Sequence, residues 1–281
     1  MTSVRTALEA DWLGVCRRAV TGLEQLLAES PETAQRAQET GTRGSGGDRT
    51  LILDRDAEAV VFAELEALSA EGYRFHALSE ERGQIDYGDR RCRVIIDPID
   101  GSLNAKRGAS HYALSIAVAD GEAAGDVVFG FVHDFGSGEQ WWAQRGEGAF
   151  LNGERLDPGR GERRARDGKL ELLGIESADP RWIAASIDGL QDSAHRIRAM
   201  GTIAITLCQV AAARFDGMVT LARCRGVDAA AGQLIVREAG GLVAFTAYRD
   251  PLAAPMDIEP RSHLVAARTP ESLDELRRIT S

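Results

Sequence analysis

A mixed α/β fold built in layers is what this sequence predicts, and three observations carry the expectation. Short apolar runs bounded by turn residues, such as Cys92–Ile96, are too brief for helices and read as strands. Longer stretches, such as Asp228–Ala239, read as helices from the spacing of their apolar residues. Strands crowd the middle of the chain, whereas strands and helices alternate towards its end. At 281 residues the chain suffices for one large domain or two modest ones. A hydrophobic share of 44% with 27% charged residues excludes wholesale disorder, collagen-like repeats and a disulfide mini-scaffold.

Leu8, Trp12, Val15, Leu23 and Leu27 fall near one face of a 3.6-residue period, so Val4 to Ser30 reads as an amphipathic helix stopped by Pro31. Residues 41–47 hold four glycines around Ser45 and predict a mobile loop. Asp54 precedes Ala57, Val60, Val61, Leu65 and Leu68, a second amphipathic helix. Strands follow at Arg74 to Leu78 and at Cys92 to Ile96, the latter ending on Asp97. His111 to Ala119 and Asp126 to His133 read as strands joined hairpin-fashion around Asp120-Gly121. Gln140 to Ala143 and Ala149 to Leu151 add short strands, with Trp141 and Trp142 on opposite faces of theirs. The polar stretch 157–169 is the expected boundary, dividing the chain into 1–157 and 158–281. Beyond it, Leu170 to Ile175, Leu242 to Phe245 and His263 to Ala267 read as strands. Ile203 to Phe215, Asp228 to Ala239 and Pro270 to Ile279 read as helices, Gly240-Gly241 closing the second.

Charge and cysteine usage set the compartment and the partners. With 33 Lys and Arg against 43 Asp and Glu, the net charge of −10 argues against a general grip on nucleic acid. Met1-Thr2-Ser3-Val4-Arg5 leads into a charged amphipathic stretch instead of an apolar signal core. Apolar runs such as Tyr112 to Ala119 fall short of the roughly 18 residues of a membrane span. Cys16, Cys92, Cys208 and Cys224 form no C-x-x-C pair and read as thiols in a reducing compartment. A soluble cytoplasmic protein is expected, with no membrane and no nucleic-acid partner.

The chemistry lies in the carboxylates. Asp97-Pro98-Ile99-Asp100-Gly101-Ser102 places two of them and a hydroxyl at the end of an apolar strand. Alone, D-P-x-D-G is a turn, since Asp, Pro and Gly each favour turns for their own reasons. Its company changes the reading: Glu80-Glu81 follows another strand, and Asp54 and Asp228 each open a helix, where an acid also has the ordinary use of capping amides. Four such acidic elements in one site repel unless cations lie between them, and hard oxygen ligands suit Mg²⁺. The dispersed His76, His111, His133, His195 and His263 offer no zinc pair, and no nucleophile elbow or Walker loop is present.

In this order the motifs resemble those of the inositol monophosphatase superfamily, Mg²⁺-dependent, lithium-sensitive phosphomonoesterases. The likeness runs from Asp54 through Glu80-Glu81, the 97–102 segment, Gly146 to Gly153, Gly201-Thr202 and Val227 to Gly232 to Glu238-Ala239-Gly240-Gly241, nearly the whole chain. It implies an α-β-α-β-α sandwich whose first part carries most of the metal site and whose second contributes Asp228. It implies Glu80, Asp97 and the Ile99 carbonyl as ligands of a first Mg²⁺, and Asp97, Asp100 and Asp228 as ligands of a second. Ser102 with Asp54 would hold and deprotonate the attacking water, and the Gly101 and Ser102 amides would meet the phosphate. Gly201, Thr202, Arg223, Arg225 and Asp228 would line the substrate. The resemblance also implies a homodimer, and a third metal where relatives keep a mobile loop; here that loop lacks the usual Lys or Thr pattern.

Departures bear on substrate. The Trp usual before the last Asp is Val227, which reads as a packing change. Where inositol-selective members carry a Glu seven residues before that Asp, this chain has Leu221. Arg223, Arg225, Lys106 and Arg107 read either as solvated surface or as a site for a second anionic group. Inositol 1-phosphate is the substrate the resemblance implies by default; Leu221 and the arginines favour fructose 1,6-bisphosphate as the first alternative, and 3′-phosphoadenosine 5′-phosphate is the next. A regulatory scaffold that kept the fold is the rival from another class.

Overall fold

The computed structural model describes residues 5–29, 39–43 and 49–280. Its first layer is a helix pair, α1 (Trp12–Glu29) and α2 (Ile52–Ala70). Val15, Ala19, Leu23 and Leu27 of α1 meet Ala57, Val61, Leu65 and Leu68 of α2, each set recurring at helical steps. The helix begins at Trp12, short of the expected Val4. Asp11 accepts the Gly14 amide at 2.9 Å and starts it there, while Ala7–Glu9 form a 3₁₀ turn and Leu8 stays exposed. The glycine-rich centre of the expected loop, 44–48, lies outside the described residues; its flanks 39–43 and 49–51 pair as an antiparallel ribbon.

The helix pair covers one face of an eight-stranded sheet: β1 (His76–Ser79), β2 (Gly83–Asp86), β3 (Arg93–Asp100), β4 (Ala113–Ala119), β5 (Val127–Asp134), β6 (Gln140–Gln144), β7 (Gly148–Leu151) and β8 (Glu154–Arg155). The spatial order is β8-β7-β6-β5-β4-β3-β1-β2. Only β1 and β3 are parallel neighbours within it. Val94, Ile96, Leu114 and Ile116 face the helix pair, whereas Ile95, Ala113 and Ala117 face the opposite way. Burial on both faces is why these strands read as unbroken apolar runs. Trp141 is fully buried on one face of β6, and Trp142 stacks on Phe150 at 4.1 Å on the other. The β4–β5 connection spans 120–126 through a 3₁₀ turn at Ala124–Asp126, longer than the hairpin expected at Asp120-Gly121.

A short helix, α3 (Ser102–Arg107), follows β3. The chain then crosses from β8 through the polar stretch to β9 (Leu173–Glu176), α4 (Pro180–Ala185), α5 (Ile187–Ser193), β10 (Ile197–Arg198), α6 (Ile203–Ala211), β11 (Gly217–Thr220), α7 (Gly226–Glu238), β12 (Leu242–Phe245), β13 (Leu264–Ala267) and α8 (Pro270–Arg277). These strands form a second sheet in the order β10-β9-β11-β13-β12. Helices α6 and α7 fill the space between the sheets, while α5 and α8 close the far side over Leu173, Ile175, Val219 and Val265. The layers are therefore α, β, α, β, α. Small residues let α7 lie close to its neighbours: a Cβ on Gly130 of β5 would stand 2.8 Å from the Ala231 carbonyl oxygen, and one on Gly232 2.7 Å from Leu207. All four cysteines are buried and free. Among the described residues, no helix is long and apolar enough to cross a membrane.

Candidate active site

Two features of the large sheet gather the acids. Because β1 and β3 run parallel, the carboxyl end of one, at Glu80-Glu81, lies beside that of the other, at Asp97 to Asp100. The second feature is a bulge. Asp97 pairs with Ser115 and Asp100 with Ala113, so three steps on β3 match two on β4. Residues three apart on a regular strand face opposite ways; the extra residue turns both carboxylates to one side. Pro98, which has no N–H to donate, sits within the interruption, which is why the strand continues past the Asp97 end expected for it. Asp54 and Asp228 arrive in the first turns of α2 and α7.

The result is a cavity of about 300 Å³ lined by Asp54, Glu80, Glu81, Asp97, Pro98, Ile99, Asp100, Gly101, Ser102, Leu103, Gly201, Ile203, Arg225 and Asp228. Glu80, Asp97 and Asp228 each offer a carboxylate oxygen within 4.8 Å of the others. Asp97 accepts the Ile99 amide at 3.2 Å. Asp100 accepts the Thr202 hydroxyl at 2.5 Å and the Ala204 amide at 2.7 Å, which ties it to the start of α6. Arg225 donates through Nη1 to Glu80 at 2.5 Å and through Nε to Asp228 at 3.2 Å.

Electrostatics say what this arrangement lacks. Burial pushes the Asp97 carboxyl well above its usual range, and the charges of Asp100, Glu80 and Asp228 push it further. Burial raises Asp100 to about 7 against the bonds from Thr202 and Ala204, and raises Asp228 to about 6 against Arg225. Carboxylates so crowded resist ionisation unless more positive charge is present. An all-oxygen donor set, buried and over-supplied with negative charge, fits a hard divalent cation such as Mg²⁺.

Three polar groups that sequence reasoning missed, Glu58 and Glu176 buried and Asn104 half-buried, hold the walls. Glu58 of α2 accepts the Ser79 hydroxyl and the Arg82 amide and pairs with the Arg82 guanidinium at 3.1 Å, bracketing Glu80-Glu81. Glu176 accepts the Met200 and Gly201 amides at 3.1 Å each and the Thr206 hydroxyl at 2.6 Å. Asn104 donates to the carbonyls of His111 and Met200, both at 2.8 Å, joining α3 to the 200–201 turn. Glu58 had a signal: it follows Asp54 by four residues on the apolar face of its helix. Glu176 and Asn104 had none, since their partners lie far away in sequence.

The remaining candidates separate. Thr202 is buried behind Asp100. Gly101 has φ +88°, and a Cβ there would stand 3.0 Å from the His111 carbonyl oxygen and 3.1 Å from that of Gly201. Arg223 is exposed, and neither it, Lys106 nor Arg107 lines the cavity. Leu221 is 5% exposed in the apolar cluster beneath α5 and α8, so it faces the core instead of a substrate. Val227 is buried in the central core, consistent with a packing change.

Comparisons with known proteins identify the family. The sequence profile of the inositol monophosphatase family matches residues 11–279. A Thermococcus kodakarensis protein named fructose-1,6-bisphosphatase/inositol-1-monophosphatase is 32% identical over 237 residues, 84% of each chain. Nus factor SuhB of Escherichia coli strain K12 is 32% identical over 270 residues, 94% of this chain and 96% of that one. Among solved structures, the extragenic suppressor protein suhB from Bartonella henselae superposes with a TM-score of 0.77 at 26% identity, covering 97% of this chain and 99% of its own.

Proposed function

The chain belongs to the inositol monophosphatase family, and from that premise we propose that it is a Mg²⁺-dependent phosphomonoesterase whose substrate is inositol 1-phosphate. The observation that carries the proposal is the convergence of the Glu80, Asp97 and Asp228 carboxylates in one cavity, where burial penalises the charge of Asp97 and Asp228.

Two Mg²⁺ are proposed, the first on Glu80, Asp97 and the Ile99 carbonyl, the second on Asp97, Asp100 and Asp228. Bound there, they would supply Lewis acidity, easing the loss of a proton from water and offsetting charge on the phosphoryl and departing oxygens. The protein's own groups do the rest. Asp54 and Ser102 orient the attacking water, and the Asp54 carboxylate receives its proton. The Gly101 and Ser102 amides meet phosphate oxygens, while Gly201 and Thr202 form the wall behind them. A half-open cavity of about 300 Å³ has room for a compact polyol phosphate.

The bisphosphate alternative rested on Leu221, Arg223 and Arg225. With Leu221 in the core, Arg223 off the cavity wall and Arg225 on two carboxylates, it loses its support among the residues. A cytoplasmic location belongs to the proposal on the cysteine usage and the charged N-terminal stretch, and a homodimer on resemblance alone; sedimentation equilibrium tests the second.

The test is phosphate release from inositol 1-phosphate, fructose 1,6-bisphosphate and 3′-phosphoadenosine 5′-phosphate, with and without Mg²⁺. Asp97→Asn should lower the rate at least about 10²-fold, since an interaction of several kcal/mol is lost. Metal-independent release, or full activity in that variant, refutes the site. Preference for a bisphosphate refutes the substrate. Release from none, with metal binding intact, would favour the regulatory scaffold that the likeness to Nus factor SuhB suggests.

A further inference from the structure

Arg225 is the one basic side chain among the described residues that line the acidic cavity. Its place is unusual for a substrate-binding arginine. The guanidinium turns inward, donating to Glu80 at 2.5 Å and to Asp228 at 3.2 Å, and the side chain is only 12% exposed. It thus engages two of the three carboxylates that can hold a metal ion together.

The backbone beneath it is fixed. Cys224 and Arg225 pair antiparallel with Ser262 and Arg261, and a Cβ on Gly226 would come 2.1 Å from the Pro255 carbonyl oxygen. The Arg225 amide also donates to Asp228 at 3.1 Å, at the entrance to α7. Any exchange of partners here is therefore a rotation of the Arg225 side chain about a stationary main chain.

A guanidinium and a divalent cation use the same carboxylate lone pairs, and both cannot hold Glu80 and Asp228 fully. We propose that Arg225 is a resident counter-ion that competes with the metal for Glu80 and Asp228 and so sets how tightly the metal binds. The inference rests on reading this cluster as the metal site. It makes Arg225 a positioning residue: without metal it keeps the acids together, and metal binding must displace it. The coupling is reciprocal, so whatever stabilisation Arg225 gives the metal-free site is subtracted from the metal's affinity.

The experiment is Mn²⁺ binding by isothermal titration calorimetry to the full-length wild type and to Arg225→Gln, with Tm measured with and without the ion. Arg225→Gln should bind Mn²⁺ about tenfold tighter, the equivalent of about one charge-assisted hydrogen bond. Its metal-free Tm should fall below that of the wild type, and its rise on adding Mn²⁺ should be larger. Unchanged or weaker Mn²⁺ affinity overturns the proposal. If the Gln variant does not fold without metal, Arg225→Lys decides, since it keeps the charge but gives up the guanidinium fork that holds Glu80 through one arm and Asp228 through Nε: tighter binding supports competition, and equal or weaker binding overturns it. Asp97→Asn separates the two levels. It should weaken Mn²⁺ binding in either background, and binding equal to wild type would overturn the metal site itself.

Discussion

Removing the metal and raising the pH should destabilise this protein, the reverse of what ordinary surface acids do. Asp228 is raised from 3.8 to about 6 chiefly by burial, with Arg225 opposing and Glu80 adding. Between those two values the unfolded chain has released the proton and the folded one keeps it. The folded state then binds more protons, and stability falls as pH rises. Against an unfolded value of about 3.9, a folded value of about 6 makes stability fall by on the order of 1–2 kcal/mol between pH 5 and pH 8 from Asp228 alone. Asp100 and Glu176, each raised to about 7 chiefly by burial, add falls of the same sign within that window. His133, whose pKa burial lowers, works the other way. Urea unfolding at pH 5 and pH 8, in EDTA and in saturating Mg²⁺, isolates the site, because His133 contributes equally to both series, whereas Glu176, which feels the charge of Asp100, responds with the site. The EDTA series should lose on the order of 1–2 kcal/mol more than the Mg²⁺ series. Equal slopes, or stability rising with pH in EDTA alone, would refute the reasoning.

Three substitutions probe the supporting structure. Gly101→Ala forces a side chain into a left-handed conformation against two carbonyl oxygens; it should cost about 2 kcal/mol or more and most of the activity, read from Tm and phosphate release. Leu221→Glu, which the sequence alone marks as a switch towards inositol phosphates, places an unpaired charge in the core; a loss of about 3 kcal/mol or more with no gain in selectivity is expected, and a stable, more selective variant would place Leu221 in the substrate site. Glu58→Ala removes the partner of Ser79 and Arg82. It should cost about 3 kcal/mol and weaken Mn²⁺ binding, although Glu58 does not line the cavity; unchanged stability and affinity would show that it supports nothing.

The layering was legible because each layer has its own period. Strands buried on both faces leave short apolar runs such as 113–119, while α2 shows its apolar stripe at three- and four-residue steps. Helix starts were less so: Leu8 sits in phase with the stripe of α1, yet Asp11 caps the helix three residues later. The bulge in β3 was hidden because Pro98 in a sequence marks a turn and an interrupted strand alike. Leu221 misled for a different reason. A spacing counted back from Asp228 fixes position along the chain but not the direction in which a residue beyond the end of β11 points, and it points into the core. The metal-facing acids could be read locally. What holds them could not, since Asp100 meets Thr202 across 102 positions.

The buried acids behind the site carry the last step. Adding Glu58 and Glu176 near four crowded carboxylates costs stability, and burial raises both their pKa values. Each nevertheless accepts amides from a segment that bends away from regular pairing: Arg82 for Glu58, Met200 and Gly201 for Glu176. An unbonded buried amide costs about 1–3 kcal/mol, so a side-chain acceptor is the alternative to letting those segments straighten. Straightened, the first would turn Glu80 away from Asp97, and the second would withdraw Thr202 from Asp100. The two acids thus exchange stability for the direction of their neighbours, and the same exchange explains Arg225, which tolerates burial to keep Glu80 and Asp228 converged.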